Sequence, residues 1–173
     1  YAGHGTQYSL VADNLNFPTN TWVHVAVTYD VATTTMRLYK NGVQIAINTT
    51  VPGYTDGGFF SISGHGNTGC NWNGYIDEVR IWDHARLQTE IQATQNVPLS
   101  GSETGLKAYY NFENGPGSSI LTDISGNGFT GTLINMEPGS DWIASTAPLS
   151  AGGGGGNTVT LTVTDVNGNS STC

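Results

Sequence analysis

Hydrophobic and polar residues alternate along much of this chain, with the two-residue period of extended strands. Over residues 22–29 (Trp-Val-His-Val-Ala-Val-Thr-Tyr), Val23, Val25, Val27 and Tyr29 fall on one face. Trp22, His24, Ala26 and Thr28 fall on the other. Both faces are apolar or small, which predicts a strand central in a packed sandwich. Residues 35–40 and 43–47 alternate on either side of Asn41-Gly42. That pair predicts a hairpin with a type I′ turn, because such a turn needs positive φ at both central positions.

Shorter runs of the same character cover 8–12, 59–63, 74–82, 106–112 and 130–134, with an apolar pair at Trp142-Ile143. Gly-, Asn- and Asp-rich loops separate them at 51–58, 64–73 and 122–128. Residues 87–93 form the one run with helical character. The pattern predicts an all-β, antiparallel β-sandwich with one short helix. Five consecutive glycines at 152–156 read as a flexible linker or a gap in the natural sequence. Beyond them, 157–165 alternates Thr with Val and Leu. A single strand does not fold alone, so this one needs a partner or belongs to a further unit.

Composition narrows the class. Hydrophobic residues make up 37% and charged residues only 10%, with 24 glycines, as in loop-rich extracellular β-proteins rather than helical bundles. The net charge of −8 repels phosphate backbones and excludes nucleic acid as a partner. No run of 18 apolar residues occurs, so no membrane insertion is expected. The two cysteines, Cys70 and Cys173, are too few for a disulfide framework and do not form a C-x-x-C pair.

Catalytic signatures are missing. A glycosidase needs two carboxylates facing each other across a cleft, whereas Asp77 and Glu78 are neighbours on opposite faces of one predicted strand. No Gly-x-Ser-x-Gly, His-Glu-x-x-His or phosphate-loop pattern is found. His24 lies mid-strand as a packed residue, and His4, His65 and His84 are scattered. The chain is therefore read as not an enzyme. The loops around Tyr54, Asp56, His65, Asn67 and Trp72 combine aromatic faces with hydroxyl-bonding groups, a chemistry suited to glycans. The alternative is that Tyr54 and Trp72 pack beneath their own loops.

Three motifs, in order, carry a family resemblance: 22–30, 36–43 and Gly-Tyr-Ile-Asp-Glu-Val-Arg-Ile-Trp at 74–82. Together they resemble the laminin-G-like, pentraxin-like jelly roll of the concanavalin A-like lectin/glucanase fold, over residues 1–95. The Asp-x-Ser-Gly-Asn-Gly loop at 123–128, within 96–149, resembles a segment found beside such domains in large bacterial surface proteins. Residues 157–173 resemble the closing strand of a hyalin-repeat (HYR) immunoglobulin-like module, after a linker or gap at 150–156. The resemblance implies further strands ahead of Tyr8, making the jelly roll N-terminally incomplete here.

The resemblance also implies a function. It points to a non-catalytic adhesion or carbohydrate-binding module of a large secreted or cell-surface bacterial protein, such as a gliding-motility or type IX-secreted adhesin. The alternatives are a carbohydrate-binding module attached to a polysaccharide-degrading enzyme, or a structural spacer. Expected partners are a glycan or surface polysaccharide and neighbouring domains of the same long chain. Jelly rolls of this kind imply a Ca²⁺ centre, with Asp77, Asp123 and Asn127 as the candidate ligands. Against that stands an Asx-turn at Asp123 and pairing of Asp77 with Arg80 or Arg37.

Overall fold

The computed structural model describes residues 17–51, 60–63 and 72–150 in full, together with the backbones of four short strands outside them. In chain order these elements are β1 (Gly3–His4), β2 (Gln7–Tyr8), β3 (Val25–Asp30), β4 (Thr35–Lys40), β5 (Val43–Asn48) and β6 (Val79–Trp82). They continue with α1 (Gln88–Thr94), β7 (Leu106–Tyr110), β8 (Ile120–Leu121), β9 (Gly131–Thr132), β10 (Thr162–Thr164) and β11 (Ser170–Thr172). Every strand pairing is antiparallel. The fold is an all-β antiparallel sandwich with one short helix, as its alternation predicts.

The predicted hairpin is present. Asn41 and Gly42 take φ of 49° and 73°, and Lys40 pairs with Val43 across them. Gly42 serves a second purpose, because a Cβ there would sit 2.8 Å from Cγ of Gln92 on α1. The close approach lets Gln92 Nε2 donate to the Gly42 carbonyl at 2.9 Å, docking the hairpin tip on the helix. Register shifts between Leu38 and Tyr39, so Ile45 is an extra residue on β5.

β3 departs from expectation. The three-stranded sheet runs β3-β4-β5, so β4 is central and β3 is an edge among the described residues. Met36, Leu38 and Tyr39 of β4 are buried, whereas Val25 and Val27 of β3 are 43% and 52% exposed. Two apolar faces mark the residue types of a strand and not what covers each face. They do not tell whether both lateral edges carry a neighbour.

The other predicted strands are shortened, and backbone geometry gives the reason. Glu78 at φ 55° breaks the extended run, so β6 begins at Val79 rather than near residue 74. Phe112, also at φ 55°, follows the end of β7. Residues 60–63 form no strand, and Ser63 has φ 71°. The 130–134 run contracts to β9.

The helix is offset by one residue from its prediction. Glu90 closes its first turn by accepting the Leu87 N–H at 2.7 Å, and Ile91 is its buried residue. β6–β7 and β8–β9 enclose the main core, with Ala108, Tyr110 and Leu121 at its centre. Val79, Ile81, Phe112, Leu133 and Trp142 pack against it. In the tail, β10 pairs with β11 of the same segment.

Candidate binding cleft

A cleft of about 820 Å³ opens between two stretches of chain, residues 21–29 on one wall and 75–84 on the other. Alternation along 22–29 turns Val25 and Val27 toward open space, and both line the cleft. At its mouth Trp72 lies edge-on to Phe17, with ring centres 5.3 Å apart and planes at 82°. Trp72 remains 46% exposed, and its Nε1–H donates to the Tyr75 carbonyl at 3.3 Å. Gly74 permits this placement, since a Cβ there would lie 2.9 Å from the indole nitrogen.

The second wall is held by a buried polar network. The Arg80 guanidinium donates to the carbonyls of Thr94 (2.6 Å) and Val97 (2.7 Å) and pairs with the Glu78 carboxylate. Tyr109 from β7 donates its hydroxyl to Glu78 Oε1 at 2.7 Å. Burial and the adjacent Glu78 carboxylate push the Tyr109 hydroxyl well above its usual range. Arg86 stacks on Trp82 with its guanidinium 4.0 Å from the ring centre. His24 Nδ1, Arg80 Nε and Arg86 Nε are buried without hydrogen-bond partners among the described residues. Each lies beneath its neighbours, out of solvent reach, so none offers a direct ligand contact. Burial first, then the positive charge of Arg80, lowers the His24 imidazole, favouring its neutral form.

Of the predicted ligand-surface residues, Tyr54, Asp56, His65 and Asn67 lie outside the described residues. Trp72 is half-exposed and lines the cleft. Asp77 lies on the far wall and accepts from the Glu78 N–H at 2.7 Å and from the Ser145 hydroxyl. It pairs with neither Arg80 nor Arg37, because Arg80 is taken by Glu78. Burial pushes the Asp77 carboxyl above its usual range despite those bonds.

Asp123 is elsewhere, against the backbone of β7. Its Oδ1 accepts from the N–H groups of Tyr109 (3.1 Å) and Ser125 (2.9 Å) and from the Ser125 hydroxyl (2.7 Å). Its Oδ2 accepts from the Phe129 N–H at 3.0 Å. Burial alone would raise this carboxyl, but the bonds from Ser125, Tyr109 and Phe129 outweigh it and hold it below the usual range. The Ser125 N–H bond is the Asx-turn that the sequence left open as an alternative. Asn127 turns its amide NH₂ to the carbonyls of Leu106 and Lys107, both at 3.1 Å.

These three residues do not fit a common calcium centre. Asp123 already bonds four N–H or O–H donors, which point positive ends where a cation would sit. Asp77 bonds to Glu78 and Ser145, partners it shares with neither Asp123 nor Asn127. Among the described residues, no group of three or more His, Cys, Asp or Glu is arranged to hold a metal.

A family profile for the concanavalin A-like lectin/glucanases superfamily matches residues 1–92. The chain belongs to this superfamily. The matched span contains the Asn41-Gly42 hairpin and the 74–82 motif, and both cleft walls fall within it. The chain is 28% identical to a candidate carbohydrate binding protein from Bacteroides ovatus, with a TM-score of 0.57. That alignment covers 75% of this chain and 38% of the other. The chain is 30% identical over 115 residues to Adhesion G-protein coupled receptor G6 of Danio rerio, and 34% identical over 94 residues to human Pappalysin-1. The matched stretches span 64% and 49% of this chain but only 9% and 5% of those relatives.

Proposed function

We propose that the chain is a non-catalytic carbohydrate-binding module of adhesion type, and that its cleft receives a glycan. The observation that carries this reading is a half-exposed Trp72, edge-on to Phe17, at the mouth of an open cleft. Such a ring offers an apolar face to the C–H side of a sugar ring. The Bacteroides ovatus neighbour, described as a carbohydrate binder, supports it.

The distribution of carboxylates supports a binding role over hydrolysis. Asp77, Glu78 and Asp83 line the cleft from one wall, and residues 21–29 opposite contain no Asp or Glu. Glycoside hydrolysis needs carboxyl groups on both sides of the scissile bond. Glu78 is moreover engaged by Arg80 and Tyr109.

We further place the module in a secreted or cell-surface protein, as a bacterial adhesin of the gliding-motility or type IX class. Its low charge content supports that setting. Residues 157–173 then represent part of an HYR-like unit beyond the glycine linker. A glycan array probed with the whole chain tests the function. Binding to at least one glycan, lost in Trp72→Ala, is expected; no bound glycan, or equal binding by the variant, counts against it.

A further inference from the structure

The two cleft walls come from distant parts of the sequence, yet neighbouring residues of a third segment bond to both. Trp22 on one wall donates its Nε1–H to the Thr146 hydroxyl at 2.8 Å. Asp77 on the opposite wall accepts from the Ser145 hydroxyl. Ser145 also accepts the Ala147 N–H at 3.0 Å, which fixes the turn presenting the two hydroxyls. The segment is anchored on both sides of this point. Trp142, packed on the core, donates to the Ser118 carbonyl at 2.7 Å, and the Ser150 N–H donates to the Asn96 carbonyl at 2.5 Å.

We propose that residues 142–150 form a strap that sets the spacing of the cleft, with Ser145 and Thr146 as the positioning residues that tie its two walls together. The strap lies beyond the span matched by the superfamily profile, which ends at residue 92. Neither Ser145 nor Thr146 belongs to a strand or helix, so no ladder holds them in place. Their side-chain bonds are the direct link between segments that are 68 and 124 residues away in sequence. The consequence for glycan affinity rests on the cleft being the binding site; the mechanical role does not.

Amide hydrogen exchange on the whole chain separates the two. In the double variant Ser145→Ala/Thr146→Val, exchange at residues 22–29 and 75–78 is expected to rise about tenfold, the cost of one or two lost hydrogen bonds. Exchange in β7 and β8 stays unchanged, and Thr146→Ser, which keeps the hydroxyl, restores the wild-type rate on the Trp22 wall. The apolar dye ANS should bind the double variant more brightly as the walls part. Unchanged exchange in both walls overturns the strap. So does a uniform rise that includes β7, which marks global loosening. Looser walls with undiminished binding of the array-selected glycan leave the strap standing and remove the cleft as the binding site.

Discussion

The β6–β9 region and the β3 wall of the cleft are built from similar residues but finished differently. Around β7, polar groups close on one another: Tyr109 joins Glu78, Glu78 joins Arg80, and Asp123 bonds four donors. Ala108, Tyr109 and Tyr110 are almost wholly buried there. Along β3, two valines stand half-exposed over an open cleft beside Trp22 and Trp72. A region whose charged groups are paired internally specifies the fold. One that leaves apolar surface open has surface to offer a ligand.

Substitutions test this contrast, most severely at Glu78. Glu78→Ala leaves the Arg80 guanidinium, 8% exposed, without its counter-charge and frees the Tyr109 hydroxyl. Losing one partner of a buried pair costs about 3–5 kcal/mol, measurable by urea unfolding. Asp123→Ala comes next, at about 2–3 kcal/mol, because it strands donors from Tyr109, Ser125 and Phe129.

Acid titration sharpens the same point. The Asp123 carboxyl is depressed in the fold, so its contribution is present above the unfolded pKa of about 3.9. It is lost as pH falls through the lower, folded value. Asp77 acts in the opposite sense, because its raised carboxyl is most compatible with the fold when protonated. Comparing wild type with Asp123→Asn isolates the first effect: the variant should lose less stability between neutral pH and acid.

The smallest change is expected on the β3 wall. Val27→Ala should cost no more than about 0.5 kcal/mol, since half of that side chain is already in water. A loss several times larger would mean that the wall is packed like the β7 region, and the comparison would fail.

Much of the architecture was legible in local chemistry. Asn41-Gly42 announced its turn, because few other pairs tolerate two positive φ values. The one run of helical character, 87–93, became α1 at 88–94. Strand lengths were not legible, because positive φ at Glu78 and Phe112 is a tertiary compromise that side-chain alternation does not encode. Glu78 takes that conformation while bonding Arg80 and Tyr109, the latter 31 residues away.

The site was readable only in part. An exposed Trp72 among polar loop residues gave a local signal. Trp22 and Trp82, which also line the cleft, looked like ordinary strand aromatics. Ser145 and Thr146 carried no signal at all, since each matters only through a partner far along the chain. The Asp-Ile-Ser-Gly-Asn-Gly loop was ambiguous between a metal site and a backbone clasp. The donors of Tyr109, Ser125 and Phe129 around Asp123 give it the form of a clasp.

The four tryptophans provide the most direct test, because Trp22, Trp72 and Trp82 line the cleft while Trp142 packs on the β7–β8 core. Their indole N–H signals can be followed by NMR while the array-selected glycan is titrated in. A glycan seated in the cleft shifts Trp72 in a saturable manner, with smaller changes at Trp22 and Trp82, and leaves Trp142 fixed. Saturable shifts confined to Trp142, or none at any cleft indole, would contradict it.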